Sequence, residues 1–308
     1  VILTVTLNAA LDITYQVPRF QPRRSHRVSE VLERPGGKGL NVARVLAALG
    51  HEAVVTGFAG GGTGAALRRL LAEVDGVTDA LVPVVGATRR TIGVVDTGGE
   101  ATQLNEPGPL ITGTEWEEFT ACYARLLRGA AAVALCGSLP PGVPVGSYAR
   151  LIREAHAAHI PVLLDTSGEA LRRGLAARPD VVKPNTDELA GLTGSTEPLR
   201  AAVDTRRRGA HAVAASLGAE GMLAVTATGA WRAAPPRRLT GNPTGAGDSA
   251  VAGLLSGLVE GESWPDRLAR AVALSAATVR APVAGEFDRA TYEELLPRVK
   301  VSEQPAAA

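Results

Sequence analysis

Short apolar runs alternate with stretches whose apolar positions return every three or four residues, through most of the chain. The first kind reads as buried strands and the second as amphipathic helices. Strands are predicted over residues 1–7, 53–58, 131–135, 160–165, 180–183, 211–216 and 222–226. Helices are predicted over 40–49, closed by Gly50, and over 64–74, 115–128, 146–158 and 169–175, with two more starting at Ser249 and Pro265. This alternation is the pattern of an α/β fold, a three-layer α/β/α body around a mostly parallel sheet.

Two stretches break the rhythm. Residues 11–33 alternate polar and apolar positions around Pro18, Pro22 and an Arg-rich turn, with little helical periodicity. In residues 88–105, two strand-like pieces flank Asp96-Thr97-Gly98-Gly99, a hairpin signal. Together these stretches are expected to form a small β-sheet lid, which covers a site or pairs with a second subunit. The body would then comprise residues 1–10, 34–87 and 106–303, with 304–308 as a loose tail.

Hydrophobic residues make up 45% of the 308 positions, enough for a large core, yet no run approaches the roughly 18 residues of a membrane span. A net charge of +1 gives no general attraction to nucleic acid or membrane. The run Arg206-Arg207-Arg208 reads as a solvated face. Cys122 and Cys136 suit neither a disulfide framework nor a zinc site, and the first strand carries no basic leader. A reducing cytoplasm is therefore the expected compartment. His156 and His159 lack a third ligand and read as surface residues on a helix.

Lysine use is more selective. Only three of the 32 basic residues are lysines, and two of them, Lys38 and Lys183, fall in Gly-rich or Pro-Asn turns. A compact ammonium can reach a phosphate oxygen where the wide guanidinium fork does not fit.

Four motifs carry candidate chemistry. Gly241-Asn242-Pro243-Thr244-Gly245-Ala246-Gly247-Asp248-Ser249 leads into a small apolar helix. It places a carboxylate beside a helix N-terminus whose free N–H groups attract anions, which suits moving a phosphoryl group onto a hydroxyl. A glycine turn with Asp248 as an ordinary N-cap has the same pattern. Pro35-Gly36-Gly37-Lys38-Gly39 enters a helix with Asn41 in its first turn. It is not a Walker A loop, because Gly39 stands where Ser or Thr is required. Gly137-Ser138-Leu139-Pro140-Pro141-Gly142 follows a buried strand, at the end where parallel sheets bind ligands, and reads equally as a rigid exit turn. Lys183-Pro184-Asn185-Thr186-Asp187-Glu188 contains a capping box between Asn185 and Glu188, and the same pair can organise Mg²⁺ and its waters. The stretch from Gly245 to Ala250 also satisfies G-x-G-x-x-A, but no clear buried strand feeds it.

Taken in order, these residues resemble the ribokinase-like (PfkB) sugar kinase family, and within it the branch of 1-phosphofructokinases and tagatose-6-phosphate kinases. The resemblance rests on stretches 7–12, 35–43, 56–60, 88–89, 105–109, 137–142, 164–168, 183–188, 216–221 and 245–249. Two departures stand out. The family's usual Asn-Pro-Ala-Leu-Asp reads Asn8-Ala9-Ala10-Leu11-Asp12. Thr91 and Gly93 occupy positions where 1-phosphofructokinases commonly carry Asn and Lys.

The resemblance implies a ribokinase-like fold and an ATP- and Mg²⁺-dependent kinase. In it, Asp248 is the catalytic base, and Gly245, Ala246 and Gly247 form the anion hole. Asp12, Gly37 and Asn41 hold sugar hydroxyls, while Lys38, Arg89 and Ser138 take the substrate's existing phosphate. Lys183, Asn185, Glu188, Ser216, Gly218 and Gly221 line the nucleotide, with Asn185 and Glu188 reaching Mg²⁺ through water. It further implies a homodimer through the lid and the conversion of fructose 1-phosphate to fructose 1,6-bisphosphate. Tagatose 6-phosphate and fructose 6-phosphate are alternative acceptors of the same class. An NAD(P)-dependent oxidoreductase built on Gly245 to Ala250, and a non-catalytic sugar-phosphate sensor, are alternatives of other classes.

Overall fold

A computed structural model describes residues 1–98 and 101–305. The chain opens with β1 (Ile2–Thr6), then β2 (Ala10–Val17), β3 (Glu30–Gly36), α1 (Lys38–Ala48), β4 (Ala53–Gly60) and α2 (Gly61–Leu71). Short strands β5 (Val77–Asp79) and β6 (Val82–Val84) precede β7 (Arg89–Asp96) and β8 (Ala101–Asn105). Next come α3 (Gly113–Leu126), β9 (Ala132–Cys136), α4 (Ser147–Ala157), β10 (Val162–Asp165) and α5 (Gly168–Leu175). They are followed by β11 (Val181–Val182), α6 (Thr186–Thr193), α7 (Pro198–Arg207), β12 (Ala212–Ser216), β13 (Met222–Val225) and β14 (Ala230–Ala234). The chain closes with α8 (Ala246–Val259), α9 (Trp264–Thr278), α10 (Arg289–Leu295) and β15 (Lys300–Gln304).

The main sheet runs β15-β14-β13-β12-β11-β10-β9-β1-β4-β5, with β6 also on β4. Pairing is parallel from β12 across to β5 and antiparallel from β12 out to β15. Alternate residues of each strand face opposite helical layers. Leu3, Val5, Leu135 and Leu164 pack with Phe119, Tyr123, Tyr148 and Leu151 from α3 and α4. On the other face, Ile2, Ala132, Ala134 and Ala214 meet Leu40, Leu67, Val251 and Leu274 from α1, α2, α8 and α9. That second face is rich in alanine, which lets α8, itself made of small residues, lie deep against the sheet. The crossing of α8 with α9 is equally close: a Cβ on Gly253 would sit 2.8 Å from the Ala271 Cα.

The two irregular stretches form a separate four-stranded sheet in the order β3-β2-β7-β8. Its register sets Asp12 between Arg34 and Thr91. The ladder begins at Ala10 paired with Gly36, so the small sheet runs directly into the glycine loop ahead of α1. Asp96 Oδ1 accepts a hydrogen bond from the Gly98 N–H at 2.9 Å, as the expected turn requires. Gly99 of that turn lies outside the described residues.

Several expectations change. α8 begins at Ala246, not Ser249, because Gly245 takes the left-handed backbone (φ 84°) that lets the next residues close a helical turn. Gln304 belongs to the sheet through its pairing with Ala230, and residues 306–308 of the expected tail lie outside the described residues. His159 sits past α4 with φ 59°, and His156 has a carboxylate partner in Asp180 at 3.0 Å. Among the described residues, no helix is long and apolar enough to cross a membrane.

Candidate active site

The C-terminal ends of adjacent parallel strands deliver four of the expected residues, Ser138, Lys183, Asn185 and Ser216. Asn8 follows β1, Gly137 and Ser138 follow β9, Asp165 ends β10, Lys183 and Asn185 follow β11, and Ser216 ends β12. This is the edge where a parallel sheet opens a ligand crevice.

Asp248 sits in the first turn of α8, 7% exposed, and its Oδ2 accepts a hydrogen bond from Asn41 Nδ2 at 2.8 Å. Asn41 comes from the first turn of α1, so Asp248 is tied to the helix that follows the glycine loop. Burial pushes the Asp248 carboxyl up to about 6; Asp165 acts in the same direction, while Asn41, Lys38 and Lys183 oppose it. Such a carboxylate is ionised at neutral pH and still holds a proton strongly enough to act as a general base. The Ala246 N–H turns back to the Pro243 carbonyl at 3.1 Å.

Gly37 caps α1 with φ 108°, and a Cβ there would lie 2.8 Å from Thr6 Cγ2. Only glycine closes this loop onto β1. Lys38 is the first residue of the helix. Its stem passes Gly137, and its ammonium reaches both Asp165 oxygens at 3.2 and 3.3 Å. Lys183 Nζ meets Asp165 Oδ1 at 3.3 Å. The two site lysines therefore share one buried carboxylate. Despite the cost of burial, Asp165, Asp248 and Glu188 raise the proton affinity of Lys38 above that of an ordinary lysine.

The small sheet supplies Asp12 and Arg89. Burial lifts Asp12 to about 6, with a Thr91 hydrogen bond and the charges of Arg89 and Arg44 opposing. Thr91, one of the departures from the family pattern, thus belongs to the site. Arg89 Nε donates to the Asn8 carbonyl at 3.1 Å, and Asn8 Nδ2 donates to Ser138 Oγ at 3.1 Å. Asn8 joins two of the predicted phosphate ligands, a role its place in the motif did not reveal. Arg34 of β3 and Arg44 of α1 both bind Glu286, at 2.9 and 2.8 Å, tethering the small sheet to the body.

On the opposite side, Asn185 and Glu188 form the capping box of α6: Asn185 Oδ1 accepts from the Glu188 N–H at 2.8 Å and Glu188 Oε2 from the Asn185 N–H at 2.9 Å. Asn185 also bridges to Ser216. Gly218 and Gly221 bound a short 3₁₀ turn, closed by a hydrogen bond from the Leu217 N–H to the Gly221 carbonyl at 2.8 Å. Among the described residues no group of three or more His, Cys, Asp or Glu gathers as a metal cage. The capping box uses Oε2 of Glu188 and leaves Oε1 for a water or a cation. A lone carboxylate beside exposed amide oxygen fits Mg²⁺, which keeps most of its waters and binds mainly through substrate phosphates.

Asp165 was missed as a site residue. Its signal was an acid closing an otherwise apolar strand, at the ligand end of a parallel sheet.

The chain matches the model of the pfkB family carbohydrate kinases over residues 5–289. Among solved structures, the tetrameric inhibited form of phosphofructokinase-2 from Escherichia coli is 31% identical, with 96% of this chain and 98% of that chain covered at a TM-score of 0.90. The same enzyme in complex with fructose-6-phosphate is 30% identical, with coverage of 96% and 98% and a TM-score of 0.88. A possible 1-phosphofructokinase from Thermotoga maritima is 29% identical, with coverage of 98% and 99% and a TM-score of 0.89. The dinucleotide fingerprint has no such support, since an irregular segment, not a strand, enters α8. The chain belongs to the pfkB family of carbohydrate kinases, and it is a phosphofructokinase-type kinase that moves a phosphoryl group onto a sugar hydroxyl.

Proposed function

We propose that this kinase transfers the γ-phosphate of ATP to the 6-hydroxyl of fructose 1-phosphate, giving fructose 1,6-bisphosphate and ADP. The observation that carries the reading is the 2.8 Å hydrogen bond from Asn41 to Asp248, which joins a buried base to the loop beginning at Gly37. Asp12, Gly37 and Asn41 hold the sugar hydroxyls. Asp248 takes the proton of the attacking hydroxyl as its oxygen bonds to phosphorus. The amides of Gly245 and Gly247, at the positive end of α8, stabilise charge on the migrating group, whereas that of Ala246 is already used. Arg89 and Ser138, held together by Asn8, bind the phosphate the substrate already carries. Lys183, Ser216, Gly218 and Gly221 line the nucleotide. Asn185 and Glu188 would hold Mg²⁺ through water, and the ion would supply charge neutralisation at the nucleotide phosphates.

A second reading takes fructose 6-phosphate or tagatose 6-phosphate as the acceptor. It draws on the similarity to the enzyme solved with fructose-6-phosphate and on Thr91 and Gly93 near Arg89. A coupled ADP assay across the three ketohexose phosphates separates the readings. Fructose 1-phosphate is expected to lead in kcat/KM by about 10-fold or more, the scale of one good polar contact. A lead for either 6-phosphate would reverse the orientation of the sugar in the site.

The small sheet supports a homodimer as well as a lid. Val31 and Leu104, on the same face as Ile13 and Tyr15, are 54% and 58% exposed. Two free cysteines suit a reducing cytoplasm.

A further inference from the structure

Asp165 has no part in the reading above, yet it is the most constrained carboxylate in the crevice. It is 1% exposed and carries ion pairs to Lys38 and Lys183, two of the three lysines in the chain. One ammonium would neutralise it. A second, meeting the same Oδ1, adds repulsion between like charges, so stability alone does not account for the pair. Each ammonium has three donors, and a bond to Asp165 leaves others free. Lys38 is 41% exposed at its side chain and opens towards the crevice. Lys183 lies under the anion-hole turn: a Cβ on Gly247 would sit 3.6 Å from its Nζ. The acceptor-side loop and the nucleotide-side loop thus meet on one carboxylate, beside the first turn of α8.

We propose that Asp165 is a positioning residue for phosphoryl transfer, spacing the ammonium groups of Lys38 and Lys183 so that both face the phosphoryl group in transit. The inference rests on the kinase reading above, and it moves the Lys38 ammonium from the substrate's resident phosphate to the migrating one. In the step, the new bond forms between the sugar oxygen and the γ-phosphorus. The bond from that phosphorus to the β,γ-bridging oxygen breaks, and ADP leaves with the electron pair. The hydroxyl proton passes to Asp248, and both lysines keep theirs. The groups facing Asp248 are Asn41 from α1, Lys38 at its start, Lys183 after β11 and Asp165 at the end of β10. Loss of the Asp165 charge therefore makes Asp248 a weaker base.

The test compares Asp165→Asn, Lys38→Met, Lys183→Met and their combinations in the full chain, with thermal melting to confirm folding. Asp165→Asn is expected to lose about 10- to 100-fold in kcat, with KM for the phosphosugar within about 3-fold and the acid limb of the pH profile displaced to lower pH. In the double-lysine background, the same substitution should cost less than about 3-fold. An undiminished loss there, or an unmoved acid limb, would mean that Asp165 acts through the fold alone. Binding of ADP with aluminium fluoride and Mg²⁺, a mimic of the phosphoryl group in transit, gives a readout without sugar. Asp165→Asn should weaken it about 10-fold or more while leaving ADP alone unchanged, and equal weakening of both would overturn the proposal. A wild type that binds this mimic but turns over no ketohexose phosphate would fail the acceptor assignment and leave the lysine spacing standing. Should Asp165→Asn not fold, Lys38→Met decides: fructose 1-phosphate binding without nucleotide is expected to persist, and its loss would return that ammonium to the resident phosphate.

Discussion

Burial raises the Asp248 carboxyl to about 6 in the folded protein, against 3.8 for an ordinary aspartate, so its proposed role as base is linked to stability. Between these values the unfolded chain releases the proton while the folded chain keeps it. Stability therefore falls as pH rises through this window, and the penalty persists above it, on the order of 2–3 kcal/mol. Asp248→Asn removes the charge but keeps an oxygen to accept from Asn41. Turnover is expected to drop about 10²- to 10⁴-fold, the range for a general base. The variant should melt at a higher temperature than the wild type at pH 8, with the gap closing below about pH 4. Equal melting temperatures at pH 8 would show that the buried charge is not a burden, and an unchanged kcat would remove Asp248 as the base. For the wild type, kcat/KM should climb through about pH 6, where Asp12 titrates as well.

Among the elements, α8 depends most on one backbone conformation. Gly245 caps it with φ 84°, and a Cβ there would come within 2.8 Å of the Ala284 Cα. Gly245→Ala combines a left-handed alanine with a backbone clash, a cost of about 1–3 kcal/mol from strain alone. It also turns the anion-hole amides away from the phosphoryl group, so kcat is expected to fall about 10²-fold or more while ADP still binds. A variant with normal kcat would place the stabilising donors elsewhere. The helix start at Ala246 escaped the sequence reading because a glycine pair normally lowers helix propensity. The αL cap reverses that local preference, and φ is not written in composition. α7 and α10 escaped for a different reason: their apolar stripes are thin, and burial of Ala201, Ala202 and Leu295 against the body holds them.

For the whole molecule, the small sheet supplies Asp12 and Arg89 on one face and leaves Val31 and Leu104 exposed on the other. Leu104→Asp puts a charge on the β8 edge of that face. If the lid is the dimer interface, light scattering should show a shift towards monomer at micromolar concentration, while the melting temperature of the body changes little. A mass unaffected by the substitution would locate self-association elsewhere. The edge of the main sheet was less legible than its centre. No strand is predicted at β14 or at the outer strand β15, and Gln304 of β15 falls in the predicted tail, since strands near a sheet edge are half exposed and carry polar residues at many positions. The buried parallel strands, apolar on both faces, were visible from the start.

What the order of residues determined by itself was local: where strands and helices alternate, which turns must hold glycine, and which acids and lysines stand beside helix starts. Those properties depend on periodicity and on backbone preference over a few neighbouring residues. Only the tertiary structure decided that Lys38 and Lys183 share Asp165, that Asn8 joins Arg89 to Ser138, and that Asn41 reaches Asp248. Each of these links spans chain segments far apart in sequence, brought together where parallel strands end, and no short-range pattern encodes such a distance.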